Sequence, residues 1–504
     1  MLLVPCSRRV ALRWALRAPV ALALSACTVG PSQKTTAPQP SPMPISTAIA
    51  SPVTTPSANG AAEATGSPSA ATPGATAAPA VTGTPAAGTL RFTATGSTDD
   101  IATLQRLTDA FIQKNADVPV RFEPVTAEYA KQTEAALSAG GAPDIVMVDW
   151  QQFGSCQKRG LLADLTGPLG SVKADTAGWY AVLHDFFGVG TTMLGVPLTY
   201  SPRVLYVNKA MLEAAGQPFP DVAWTWERFT TATRALVKGD ASAPSHVGLY
   251  PSTDPLDWIS FVLAAGGDVF DHPLDPTQCV LDTPYAADGL QNYADLWLKH
   301  QGAANPTTSP SGTPLKAFMD GTAAMAVGPR DWVAMLKGVD RFAWDVSFLP
   351  AGPAGHAAPL VVTGLSVPKD SRLVANAAKL LSFLSATKES QIEIGKSGSQ
   401  VPALRVAATA ADAHPDQPRI NYKVFTEALN FAAGPYRSPS WADVTAQWSS
   451  DLDGVWKGST TAADALKSSA PKVTELLRKG LGITPTPQPG AFGTPGSATP
   501  RATR

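Results

Sequence analysis

The run LRFTATGSTDDIATLQRLTDAFIQKNADVPVRFEPV (residues 90–125), followed by AALSAGGAPDIVMVDWQQFGSCQKRGLLADLT (residues 135–166), reads as strand, helix, strand, helix and strand. The third strand is an unbroken apolar run, Ile145-Val146-Met147-Val148, and such runs mark strands covered on both faces. It delivers Asp149 and Trp150 to a carboxyl edge, and in an open α/β sheet ligands sit beyond such edges. Gly96 and Ser97 follow the first strand where a helix opens, so their backbone N–H groups are placed to receive a ligand oxygen. The alternative for this loop is a plain helix cap by Asp99 or Asp100. No Lys or Arg stands beside it, which weighs against phosphate.

The same pattern continues in GVPLTYSPRVLYVNKAMLEAAG (195–216), the block 258–282, FMDGTAAMAVGPRDW (318–332), FLPAGPAG (348–355) and a helical segment ending near Lys479. Together these ordered blocks resemble the carbohydrate-type (family 1) substrate-binding proteins of bacterial ABC transporters, the maltodextrin-binding-protein-like group. The resemblance implies an α/β, two-lobed periplasmic-binding-protein-like fold, with three inter-lobe crossings and a ligand cleft between the lobes. It places the crossings near residues 200–205, 361–365 and 404–408. Lobe one is then expected at 89–201 with 364–403, and lobe two at 205–361 with 409–480. A length of 504 residues agrees with at least two lobes, because single cores stop growing well below that size.

The chemistry of a sugar site singles out further residues. A carboxylate accepts hydrogen bonds from adjacent hydroxyls, and an indole face covers the C–H side of a pyranose. Asp149, Trp150 and Gln151 are therefore expected in the site, although Asp149 also suits a helix cap and Trp150 a core position. Tyr200 and Arg203 fall at the first crossing, which lines the cleft in the family; Arg203 equally suits a structural ion pair. Trp258 heads a helix at 259–265 that ends on glycines, Gly364 lies at the second crossing, and Tyr436, Arg437 and Trp441 precede the closing helices. In the family a Gly followed shortly by Trp supplies a stacking aromatic, and here Trp332 is the match. The intervening Arg330-Asp331 leaves either Arg330 or Trp332 to face the cleft. Trp224 and Trp226 resemble a surface segment, whereas Trp344, Trp448 and Trp456 have core spacing.

The two ends are of different composition. Four arginines between residues 8 and 17 precede the apolar run 18–26. That run is shorter than the roughly 20 residues of a membrane span and has the layout of an export signal. Leu24-Ser25-Ala26-Cys27 resembles the bacterial lipobox, so residues 1–27 are expected to be a lipoprotein signal with Cys27 acylated, exported by the Sec or the twin-arginine route. Residues 28–88 are almost purely Ala, Pro, Thr, Ser and Gly, too poor in large apolar side chains to fold, and read as a disordered tether. Residues 481–504 read as a second such tail. Of the four cysteines only Cys156 and Cys279 remain in the folded body; an oxidising compartment permits their disulfide, whereas the layout implied by the resemblance puts them in different lobes as two separate buried thiols.

Several function classes are disfavoured. The formal net charge is −1, without a basic block beyond the first residues, so nucleic acid is not expected as a partner. There is no Gly-x-Ser-x-Gly elbow, no His-Glu-x-x-His and no P-loop, and the six histidines are scattered. The expectation is a non-enzymatic, monomeric, lipid-anchored extracytoplasmic protein without cofactor or metal. It would capture a mono- or oligosaccharide and deliver it to the transmembrane subunits of an ABC permease. A sugar-sensing lipoprotein and a lipid-anchored carbohydrate-active enzyme are the alternatives, as are a polyol or a glycerol-phosphate as ligand.

Overall fold

The structure, a computed structural model, describes residues 88–240, 243–309, 312–410 and 420–483. The readings for the export signal, Cys27, the tether and nearly all of the tail lie outside the described residues.

Local sequence explains the first helix well. Ser97 caps Thr98–Lys114 by accepting from Asp100 N, and the Asp100 carboxylate accepts in return from Ser97 N. Asp99 and Asp100 sit at the positive end of the helix dipole and Lys114 at the negative end. Its buried residues, Thr103, Leu104, Leu107, Thr108 and Phe111, form one stripe at helical spacing. That stripe packs beside the strands Leu90–Ala94, Val120–Pro124 and Ile145–Asp149, which pair in parallel as the sequence predicts.

Two sheets organise the described residues into two lobes. The first runs, edge to edge, Val401–Pro402, Val196–Pro202, Ala358–Ser366, Ile145–Asp149, Leu90–Ala94 and Val120–Pro124, with Ala432–Ala433 added alongside Ala358–Ser366. The second runs Trp344–Ser347, Val204–Asn208, Ala323–Gly328, Ala243–Tyr250 and Lys238–Asp240. Helices Pro255–Ala265, Pro284–Leu298, Trp441–Asp451 and Ala462–Gly480 pack on one another, with Trp258 against Trp448 (5.3 Å) and Trp297 Nε1 donating to Trp456 O (3.0 Å).

The passages between sheets are set by strand pairing. The first falls on Arg203, the single residue between Val196–Pro202 in one sheet and Val204–Asn208 in the other. The second lies between Ser347 and Ala358, upstream of the expected 361–365, because Ala358–Ser366 is paired within the first sheet from Leu360↔Pro202 to Leu365↔Val196. The third lies beyond 404–408. Helix Arg405–Ala408 still packs on Lys388–Lys396, whereas Ile420 shares a pocket with Val333 and Leu336 of the second lobe and Asn421 N donates to Asp345 Oδ1. Cys156 and Cys279 are separate buried thiols, and burial pushes them up to about 11 and about 12.

Candidate functional site in the first lobe

A cavity of about 420 Å³ opens at the carboxyl edge of the first sheet. Its polar floor is a row across three adjacent strands. Thr363 is the direct partner of Asp149 on one side and of Thr199 on the other, so the three side chains share a face. Asp100 and Thr103, on the first turns of helix Thr98–Lys114, face this row with Gly96, and Gln152, Ser397 and Gln400 complete the polar rim. Leu104, Met147, Leu198 and Ile394 supply apolar wall. No lysine or arginine lines the cavity.

The local chemistry is held in place. Burial raises the Asp149 carboxyl above its ordinary value, against the backbone N–H groups of Gln152 and Gln151. It caps helix Trp150–Lys158 by accepting from Gln152 N at 2.8 Å through one oxygen, Oδ1. Tyr129 secures the strand behind it. Its hydroxyl accepts from Met147 N (2.9 Å) and lies 3.0 Å from Met147 O, and burial pushes the phenol up to about 12. Gln152 Nε2 donates to Ala130 O, fixing the amide at the cavity edge.

Of the expected site residues, only Gly96 and Asp149 line this cavity; Ser97 borders it as the helix cap. Gln151 is exposed outside it, one position from Gln152 on the helix. Tyr200 is fully buried with its ring 5.5 Å from Tyr180, because it alternates with Thr199 to the other face of its strand. Gly364 is a packing position: a Cβ there would lie 2.3 Å from Phe187 Cζ. Trp258 is core, against Trp448. Trp224 is also buried rather than superficial.

The remaining aromatics pack on one another instead of facing the cavity. Trp150 meets the edge of Trp441 at 4.6 Å, and Tyr436 stacks on Trp441 at 5.7 Å, all three buried. Trp332 folds over Gly328 and lies 5.2 Å from the Tyr206 ring. Arg437 is a buried brace. Its Nη1 donates to Phe186 O (2.9 Å) and Gly188 O (2.7 Å), and its Nε to Leu274 O (2.8 Å). Arg330 is fully buried with its guanidinium over the Tyr422 ring at 4.5 Å.

Arg203 makes ion pairs, the alternative open to it from sequence. It reaches Asp254 Oδ2 and Asp257 Oδ1, each at 3.2 Å, at the passage between sheets. Burial pushes Asp257 up to about 6, with Arg203 and Ser252 opposing. Because the folded-state value lies above that of the unfolded chain, the folded form holds the proton longer. Stability from this group is therefore greatest below about pH 4 and falls as pH rises through about 6. The wild type is expected to lose thermal stability relative to Asp257→Asn between pH 5 and pH 7. Parallel melting curves for the two proteins across that range would remove the argument.

Among the described residues no group of His, Cys, Asp and Glu side chains could hold a metal ion, and no helix is long and apolar enough to cross a membrane. The sequence profile of the bacterial extracellular solute-binding proteins matches residues 94–391, more than half of the chain. The chain belongs to that family. No curated protein sequence matches it significantly.

Solved structures show the two-lobed fold of the family. An ABC substrate-binding protein of Listeria monocytogenes in complex with cycloalternan is similar with a TM-score of 0.67 at 22% identity, covering 78% of this chain and 99% of that one. Maltose-bound MalE3 of T. maritima gives 0.63 at 21%, covering 77% and 100%. UgpB of Mycobacterium tuberculosis, in complex with glycerophosphocholine, gives 0.65 at 20%, covering 78% and 99%. At these identities the likeness concerns the fold.

Proposed function

We propose that this solute-binding protein captures a neutral mono- or oligosaccharide at the first-lobe cavity and hands it to an ABC permease, without catalysis. The observation that carries this reading is the composition of the cavity. Asp149, Thr363, Thr199, Asp100, Gln152 and Gln400 offer carboxylates, hydroxyls and amides to a polyhydroxylated ligand beside an apolar strip, while no cation is present to hold a phosphate. A glycerol-phosphate fits such a lining poorly, because two carboxylates would face its negative charge. Sugar complexes among the similar structures agree with the choice. The lipid anchor at Cys27 and the tether 28–88 belong to the same proposal, keeping a diffusing receptor near its permease.

The test is a thermal-shift and calorimetric panel on the mature chain. The matching sugar at 100 times its dissociation constant is expected to add about 2.7 kcal/mol of stability, and glycerol 3-phosphate none. Asp149→Asn keeps a capping oxygen but loses the charge-assisted contact, and Thr363→Val removes a hydroxyl at nearly constant shape. Each is expected to weaken that sugar about tenfold. Binding within about twofold of wild type in both variants would move the site elsewhere.

A further inference from the structure

We propose that Arg330 is a positioning residue, a latch by which the second lobe sets the shape of the first-lobe cavity. Arg330 leaves the carboxyl end of strand Ala323–Gly328 and is fully buried. Its backbone N donates to Ser201 Oγ at 2.8 Å, and its Nη1 donates to Gly398 O, so one residue of the second lobe bonds twice to the first. Gly398 lies just past the end of helix Lys388–Lys396 in a left-handed turn (φ +85). Carbonyls at a helix C-terminus carry partial negative charge, which suits a guanidinium. The Tyr422 and Phe425 rings, 4.5 Å and 5.3 Å from Arg330 Cζ, flank the cation and limit its rotamers.

The segment so held is a wall of the cavity. Ser397 and Gln400 line it on either side of Gly398, and Ser399 Oγ lies 3.3 Å from Ser97 Oγ on the loop after the first strand. Through this bond the second lobe holds the 397–400 segment, and with it that wall of the cavity, in place. This inference concerns the coupling of the lobes to the wall and does not depend on which ligand the cavity takes.

The experiment is hydrogen exchange on the full ligand-free chain for wild type, Arg330→Met and Arg330→Lys. Met keeps much of the packing on Tyr422 and Phe425 but cannot donate. Amides of 397–400 are expected to exchange about tenfold faster in Arg330→Met, with strands Leu90–Ala94 and Ala323–Gly328 unchanged, and Arg330→Lys to recover part of the protection. Unchanged exchange at 397–400, an equal acceleration across both sheets, or no recovery with Lys each overturns the latch. If Arg330→Met does not fold, Phe425→Leu removes one wall of the aromatic cage and is expected to give the same local signature.

Discussion

Trp441→Ala is expected to lose about 4 kcal/mol of unfolding free energy, read as a lowered urea midpoint at constant slope. Trp441 is 4% exposed and sits at the centre of an aromatic cluster, with Trp150, Tyr436, Trp448 and Phe270 at 4.6, 5.7, 5.7 and 6.4 Å. Trp448 is held by Trp258, and Tyr436 by Phe270, so these neighbours resist collapse into the void. Because Trp150 starts a first-lobe helix and Trp441 a second-lobe one, the loss falls on the contact between the lobes. Trp441→Phe, which keeps a ring at the site, should lose less than half as much. A purely ligand-contacting tryptophan would behave oppositely, losing affinity at constant stability, and a shift below about 1 kcal/mol would return Trp441 to that role.

Arg437→Met is the second large effect, at about 3–5 kcal/mol, measured by the same denaturation. The guanidinium is 4% exposed and satisfies carbonyls of both lobes, those of Phe186 and Gly188 on one side and Leu274 on the other. Burial pulls its pKa below the ordinary arginine value, with Asp275 opposing. A methionine fills similar volume but leaves three carbonyls without this donor, and unmet buried acceptors carry their full desolvation cost. Arg437→Lys should rescue little, since one ammonium cannot reproduce the planar fork that spans these acceptors. Wild-type stability in the methionine variant would mean that water takes over all three bonds.

Much of the fold is legible along the chain. The unbroken apolar run 145–148, the capping box at Ser97 and Asp100, and the ordered blocks to Trp332 locate strands and helices that the structure contains. The site is less so, for a geometric reason. Side chains alternate across a strand, so Thr199 and Tyr200, or Thr363 and Gly364, differ by one position in sequence and by a whole face in space. The reading took the aromatic and the glycine; the cavity takes the two threonines. Gln151 and Gln152 are separated in the same way by about 100° on a helix.

The tryptophans make the same point with larger side chains. An indole at a strand end suits a sugar face and a core equally, and nothing local distinguishes them. Trp150 becomes core because Trp441, 291 positions later, arrives against it, and Arg330 is buried because Tyr422 and Phe425 return to flank it. The periodicity of each element, the caps and the carboxyl edge depend on neighbours within a few residues and are legible along the chain, and the order of such blocks over 94–391 carries the family. Which side chains line the cavity depends on the folded chain, because burial is a property of segments meeting across hundreds of residues.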